Sequence, residues 1–140
     1  MANNAQSIKS LAQAIRYGND DAAVVASACA NGVSPNAVRS DGWPLIVVAA
    51  YYARLRQVEE LLRQGANVDL QNGNGASALF IAAQKGFVAV AELLLRNGAN
   101  VDLPMNDGAT PLFAAAWKGD LGVVAKLIEH GAKVNLQHND

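Results

Sequence analysis

The chain has 140 residues, a formal net charge of −1, and is 51% hydrophobic and 16% charged. That is the size of one ordinary domain, with enough apolar mass for a core and composition unlike that of a disordered chain. A pI near 6.1 gives no global attraction to nucleic acid or anionic lipid, and a lone cysteine excludes a disulfide framework or a four-cysteine zinc site.

The segment from Met1 to Gln6 has no basic stretch followed by an apolar one, so it does not read as a signal peptide. A helix is predicted next. Gln6, Lys9, Gln13 and Arg16 form a polar stripe, with Ile8, Leu11 or Ala12, and Ile15 opposite. A unit wet on one side and dry on the other suits an N-terminal cap. Cys29 falls in a second helix among Val24, Val25 and Ala28 and reads as a structural thiol. The longest apolar run, 43–53, is too short to span a bilayer. The expected compartment is a reducing one, the cytoplasm, and no membrane partner is expected.

From there a period dominates. Gly32, Gly65, Gly98 and Gly131 recur every 33 residues, followed in phase by Ala66, Ala99 and Ala132 and by Val68, Val101 and Val134. Asp69, Asp102 and Asn135 come next, then Leu70, Leu103 and Leu136; Asp41, Asn74, Asp107 and Asp140 share a further phase. Within a unit, the segment Ala78–Lys85 precedes Gly86, and Val88–Arg96 precedes Asn97-Gly98. Both are rich in helix formers, and a glycine beyond each provides the left-handed turn. Helices of about two turns are marginal alone, so each unit must lean on its neighbours. Gly18 to Gly32 spans two residues more than Gly86 to Gly98, which places a two-residue insertion near Asn19-Asp20-Asp21.

The pattern resembles the ankyrin repeat over about residues 6–140. The segment Asp107-Gly108-Ala109-Thr110-Pro111-Leu112, with Ala115-Ala116, Gly119, Leu127-Ile128 and Gly131-Ala132, lies nearest the family form. Val47, Phe80 and Phe113 stand where the family often has histidine, which replaces a local hydrogen bond with apolar packing. The resemblance implies one all-α ankyrin-repeat solenoid of helix-turn-helix units with β-hairpin-like turns. The units are 6–40 (degenerate, capping), 41–73, 74–106 and 107–139, with a further one beginning at 140. The fourth unit lacks the polar stripe of the first. Further repeats on the C-terminal side, or weak self-association, are therefore expected.

Signs of catalysis are sparse. The run Gly73-Asn74-Gly75-Ala76-Ser77-Ala78 fits a dinucleotide fingerprint, but it occupies the repeat turn, without a βαβ unit or a ribose-binding acid. Glu59 and Glu60 are adjacent and point about 100° apart on a helix, so they form no acid–base pair. His130 sits at a helix end and His138 in the last turn. We expect no enzyme activity, cofactor, metal or nucleic-acid partner.

In proteins resembling ankyrin repeats, partners meet the turn residues and the two positions after the Ala-Ala pair. Mapped here, these include Trp43, Asn74 and Asp107 in the turns and Tyr51, Tyr52, Gln84, Lys85, Trp117 and Lys118 on the helices. Four of the eight aromatic residues, Trp43, Tyr51, Tyr52 and Trp117, take these outward positions, and Tyr and Trp are the usual anchors of protein interfaces. The expected function is protein binding on a concave, turn-rimmed surface. An inhibitor or immunity-type role against a partner enzyme, and a self-associating structural fragment, are the alternatives.

Overall fold

A computed structural model describes residues 4–134 and holds eight helices. They are α1 (Asn4–Tyr17), α2 (Ala22–Ala30), α3 (Leu45–Tyr51), α4 (Leu55–Arg63), α5 (Ala78–Lys85), α6 (Val88–Arg96), α7 (Pro111–Lys118) and α8 (Leu121–Glu129). The odd-numbered helices pack side by side in one layer and the even-numbered ones in a second. Each pair is one unit of the 33-residue period, and α5 and α6 have the predicted bounds. Asn135, Leu136, His138 and Asp140 lie outside the described residues, as does the proposed start of a further unit.

The turns repeat bond for bond. Arg39 N–H donates to Trp43 O, Asn72 N–H to Ala76 O and Met105 N–H to Ala109 O, at 2.8, 3.0 and 2.8 Å. At each tip the glycine, Gly42, Gly75 or Gly108, adopts a φ near +90°. Isolated antiparallel bridges join Val38 to Pro44 and Gln71 to Ser77, and no strand develops among the described residues. Ser77 and Thr110 then cap α5 and α7, accepting the amides of Phe80 and Phe113 at 3.1 and 3.2 Å.

Neighbouring units are tied by side chains in register. Asn36, Asp69 and Asp102 accept the amides of Asn67, Asn100 and Lys133 in the next unit, at 2.7, 2.9 and 3.0 Å. The core runs along the stack between the layers. Leu45 to Ala50 and Ala78 to Ala83 are buried throughout, because a central unit is covered on both sides. Val47 and Phe80 are packed inside as the apolar replacement of histidine requires, whereas Phe113 is 43% exposed. In α1, Leu11, Ala12 and Ile15 are buried while Gln6, Lys9, Gln13 and Arg16 face outward, as expected of a cap.

Candidate functional site

The ends of the odd-numbered helices and the turns that precede them form one face. The period stacks equivalent positions there: Tyr51, Gln84 and Trp117 in one row, and Tyr52, Lys85 and Lys118 in the next. Arg16 and Tyr17 end α1 at the corresponding place in the first unit.

The Tyr51 ring is the centre of a cluster. Trp43 meets it edge-on at a centroid distance of 5.6 Å, and Tyr52 does so at 4.9 Å. The Lys85 ammonium stands 4.0 Å from the Tyr51 centroid, and the Arg16 guanidinium stands 5.8 Å from that of Tyr52. Cations are held over such rings by the negative face of the π-system. Arg39 lies 5.9 Å from the Trp43 centroid and is fixed by Asp41, whose carboxylate accepts its Nε–H at 2.9 Å. That hydrogen bond raises the Arg39 pKa and lowers that of Asp41, so the pair is charged at neutral pH.

One unit further along lies an open hollow of about 390 Å³, lined by Phe80, Gln84, Met105, Asp107, Phe113, Trp117 and Lys118 among others. Trp117 is 85% exposed and lies on Phe113 with 20° between the ring planes. Asp107 shapes the turn by accepting the Ala109 amide at 3.0 Å.

The predicted residues thus fall into two groups. Trp43, Tyr51, Tyr52 and Lys85 come together, and Gln84, Asp107, Trp117 and Lys118 line the neighbouring hollow. Asn74 belongs to neither: its side chain is exposed, and its carbonyl accepts the Asn106 amide at 3.0 Å, joining two turns. One expectation is corrected. Trp43 and Tyr52 do not stand outward; they are half-buried and packed against the core, because the T-shaped contacts around Tyr51 draw them in. The composite nature of the site escaped sequence reasoning in Arg16 and Arg39. Their only signal was a cation one unit before, or four residues before, an aromatic residue of the set.

Cys29 is half-buried, and burial, then the Glu60 charge, push its thiol pKa up, which opposes nucleophilic use. Among the described residues no group of three or more His, Cys, Asp and Glu could hold a metal ion. No described helix is long and apolar enough to cross a membrane.

Short helix pairs stacked in two layers, with neighbouring units tied by side-chain hydrogen bonds in register, define an all-α repeat solenoid. Its unit is the ankyrin repeat: the model for ankyrin repeats matches residues 45–138 in three copies, and the chain belongs to that family. No curated protein matches it. Ankyrin repeats are in general modules of protein–protein interaction.

Proposed function

We propose that this chain is a non-enzymatic binding module that docks a protein partner on the face built around Tyr51 and Trp117. The observation that carries the reading is the position of the aromatic residues. A half-exposed Tyr51 cluster and an 85% exposed Trp117 lie one unit to either side of Gln84 on a single rigid face. Large, stiff side chains with few rotors lose little entropy on docking. The backbone beneath them is tied by turn and inter-unit hydrogen bonds, so binding needs little rearrangement. The cytoplasm is the compartment we assign to it, since its thiol chemistry and surface call for no oxidising environment.

The test is a pull-down with the purified chain beside its Tyr51→Ala and Trp117→Ala variants, read by mass spectrometry. A protein retained by the parent chain and lost by both variants supports the reading. Equal retention by all three places the partner elsewhere and removes this face from consideration.

A second reading has its own observation. Phe80 and Leu95 are each 5% exposed, but Phe113 and Ile128, their equivalents one unit on, are 43% and 49% exposed. That face favours stacking on further repeats or on a second copy. Light scattering over a concentration series separates this from partner docking.

A further inference from the structure

We propose that the face from Arg16 to Lys118 docks an acidic polypeptide segment, one that also places a large apolar side chain in the hollow beside Trp117. The inference rests on the binding reading above and adds the chemistry of the partner.

The charges of the two sides of the stack are handled differently. On the even-numbered helices, three of the four cations are paired: Arg63 with Glu60 at 2.9 Å, Arg96 with Glu92 at 2.8 Å, and Lys126 with Glu92 and Glu129 at 3.6 and 3.7 Å, Arg56 being the exception. On the opposite face Arg16, Lys85 and Lys118 have no ion-pair partner among the described residues. Lys85 and Arg16 rest instead over tyrosine rings, at 4.0 and 5.8 Å from the centroids. A ring holds a cation in place without cancelling its charge. A carboxylate arriving there meets a positive group that has already lost much of its freedom, which lowers the cost of binding. The surplus is local. Arg16, Arg39, Lys85 and Lys118 on this face outnumber by one Asp41, which is paired with Arg39, Asp107 in the hollow and Asp120, which lies beside Gly86 near Lys118, on a chain whose net charge is −1. A segment with carboxylates is the complement of that distribution.

The hollow sets the second requirement. Its apolar lining is Phe80, Met105, Phe113, Ala114 and Trp117, and its polar lining is Gln84, Asp107 and Lys118, so an acidic neighbour of the inserted side chain is directed at Lys118 and away from Asp107. It therefore takes an apolar side chain whose neighbour in sequence is acidic. A single-stranded nucleic acid also carries negative charge and apolar faces, but it requires open rings on which successive bases stack. Lys85 occupies a face of Tyr51 and Arg16 a face of Tyr17, Trp43 and Tyr52 are engaged edge-on with Tyr51, and Trp117 stands open beside Phe113 at a centroid distance of 6.2 Å. What is left is one platform, not a track of them.

The experiment is to pan a phage-displayed random peptide library against the whole chain. Enriched peptides are then synthesised and titrated against the parent, the Lys85→Glu/Lys118→Glu double variant, Tyr51→Ala and Trp117→Ala. Circular dichroism confirms that each variant is folded. The expected peptides combine Asp or Glu with Phe, Trp or Leu, and the double charge reversal weakens them by at least about tenfold. Trp117→Ala is expected to weaken them at least about fivefold. Neutral or basic peptides that survive the charge reversal, yet are lost with Tyr51→Ala and Trp117→Ala, overturn the acidic partner and leave the binding face standing. Peptides indifferent to every variant overturn both, and the absence of any enrichment overturns the acidic-segment inference. An oligothymidylate bound more tightly than the best peptide overturns the choice of polypeptide.

Discussion

The carboxylate of Asp20 accepts the backbone amide of Gln57 at 3.0 Å, across 37 positions of chain, and its other oxygen accepts the Arg56 amide at the same distance. Asp20 therefore caps the N-terminus of α4 from the neighbouring unit, where Arg54, the residue preceding the helix, provides no side-chain cap. Arg54 reciprocates, donating to the carbonyls of Ile15 and Arg16 at 2.8 and 2.9 Å, where α1 ends. Gln57 completes the tie by donating from Nε2 to the carbonyls of Asn19 and Asp21 at 3.2 and 3.1 Å. The residues inserted in the first unit thus serve as the clasp that holds it to the second. Asp20→Ala should cost about 1–2 kcal/mol, measured by urea unfolding. Asn19→Ala, which leaves the Asn19 carbonyl in place, should cost much less. Equal effects of the two would show that the loop matters only through its backbone.

The clasp also shows why parts of this molecule were legible in the sequence and others not. A period repeated through several units reports the average unit, so the helices, the glycine turns and the recurring Ala-Ala pairs could be read directly. Features made once are invisible to it. The column of Gln57 continues as Val90 and Val123, both buried, and a lone glutamine there was the available sign that the second unit serves a polar neighbour. The candidate site shows the same division. Family positions located Tyr51, Lys85 and Trp117, but spacing carries no side-chain direction. The inward turn of Trp43 and Tyr52, and the reach of Arg16 across units, depend on packing between rings.

Ala53 occupies the position that Gly86 and Gly119 take in the later units, and it shares their left-handed backbone, with φ of +56° against +76° and +80°. A Cβ in that region is strained by roughly 1 kcal/mol, partly offset by the smaller entropy that alanine loses on folding. Ala53→Gly is expected to leave stability unchanged or raise it by up to about 1 kcal/mol. Gly86→Ala should be clearly destabilising, since its Cβ would also come within 2.5 Å of an Asp120 carboxylate oxygen. Thermal melts of the two variants check the sign of each. A destabilised Ala53→Gly would mean that the alanine methyl contributes packing that outweighs the strain.

The two tryptophans should separate stability from binding. Trp43 packs against the core and against Tyr51, so Trp43→Ala is expected to cost about 1–3 kcal/mol and to disturb the tyrosine cluster with it. Trp117 is 85% exposed, and Trp117→Ala should lie within about 0.5 kcal/mol of the parent. Denaturant curves read the first difference, and the peptide titrations read the second. A Trp117→Ala protein that melts early would assign that ring to packing on Phe113 and remove it from the binding face.

The fourth unit should open before the others. Covered on one side only among the described residues, α7 and α8 leave Phe113, Trp117, Leu121 and Ile128 between 43% and 85% exposed. Burying a side chain of this size contributes about 1.5–3 kcal/mol, and the interior units have that contribution from neighbours on both sides. Solenoid stability is close to a sum of unit and interface terms, so losing one interface lowers the local opening energy without touching the units further in. Hydrogen exchange on a dilute sample should therefore show the amides of 111–129 exchanging ahead of those in α3 to α6. Their protection should rise with protein concentration if a second copy covers this face, and it should stay constant if the chain remains monomeric. Should 111–129 instead rank with the best protected segments at high dilution, the exposed columns are not a weak point, and the reading of this face as one that awaits a neighbour fails.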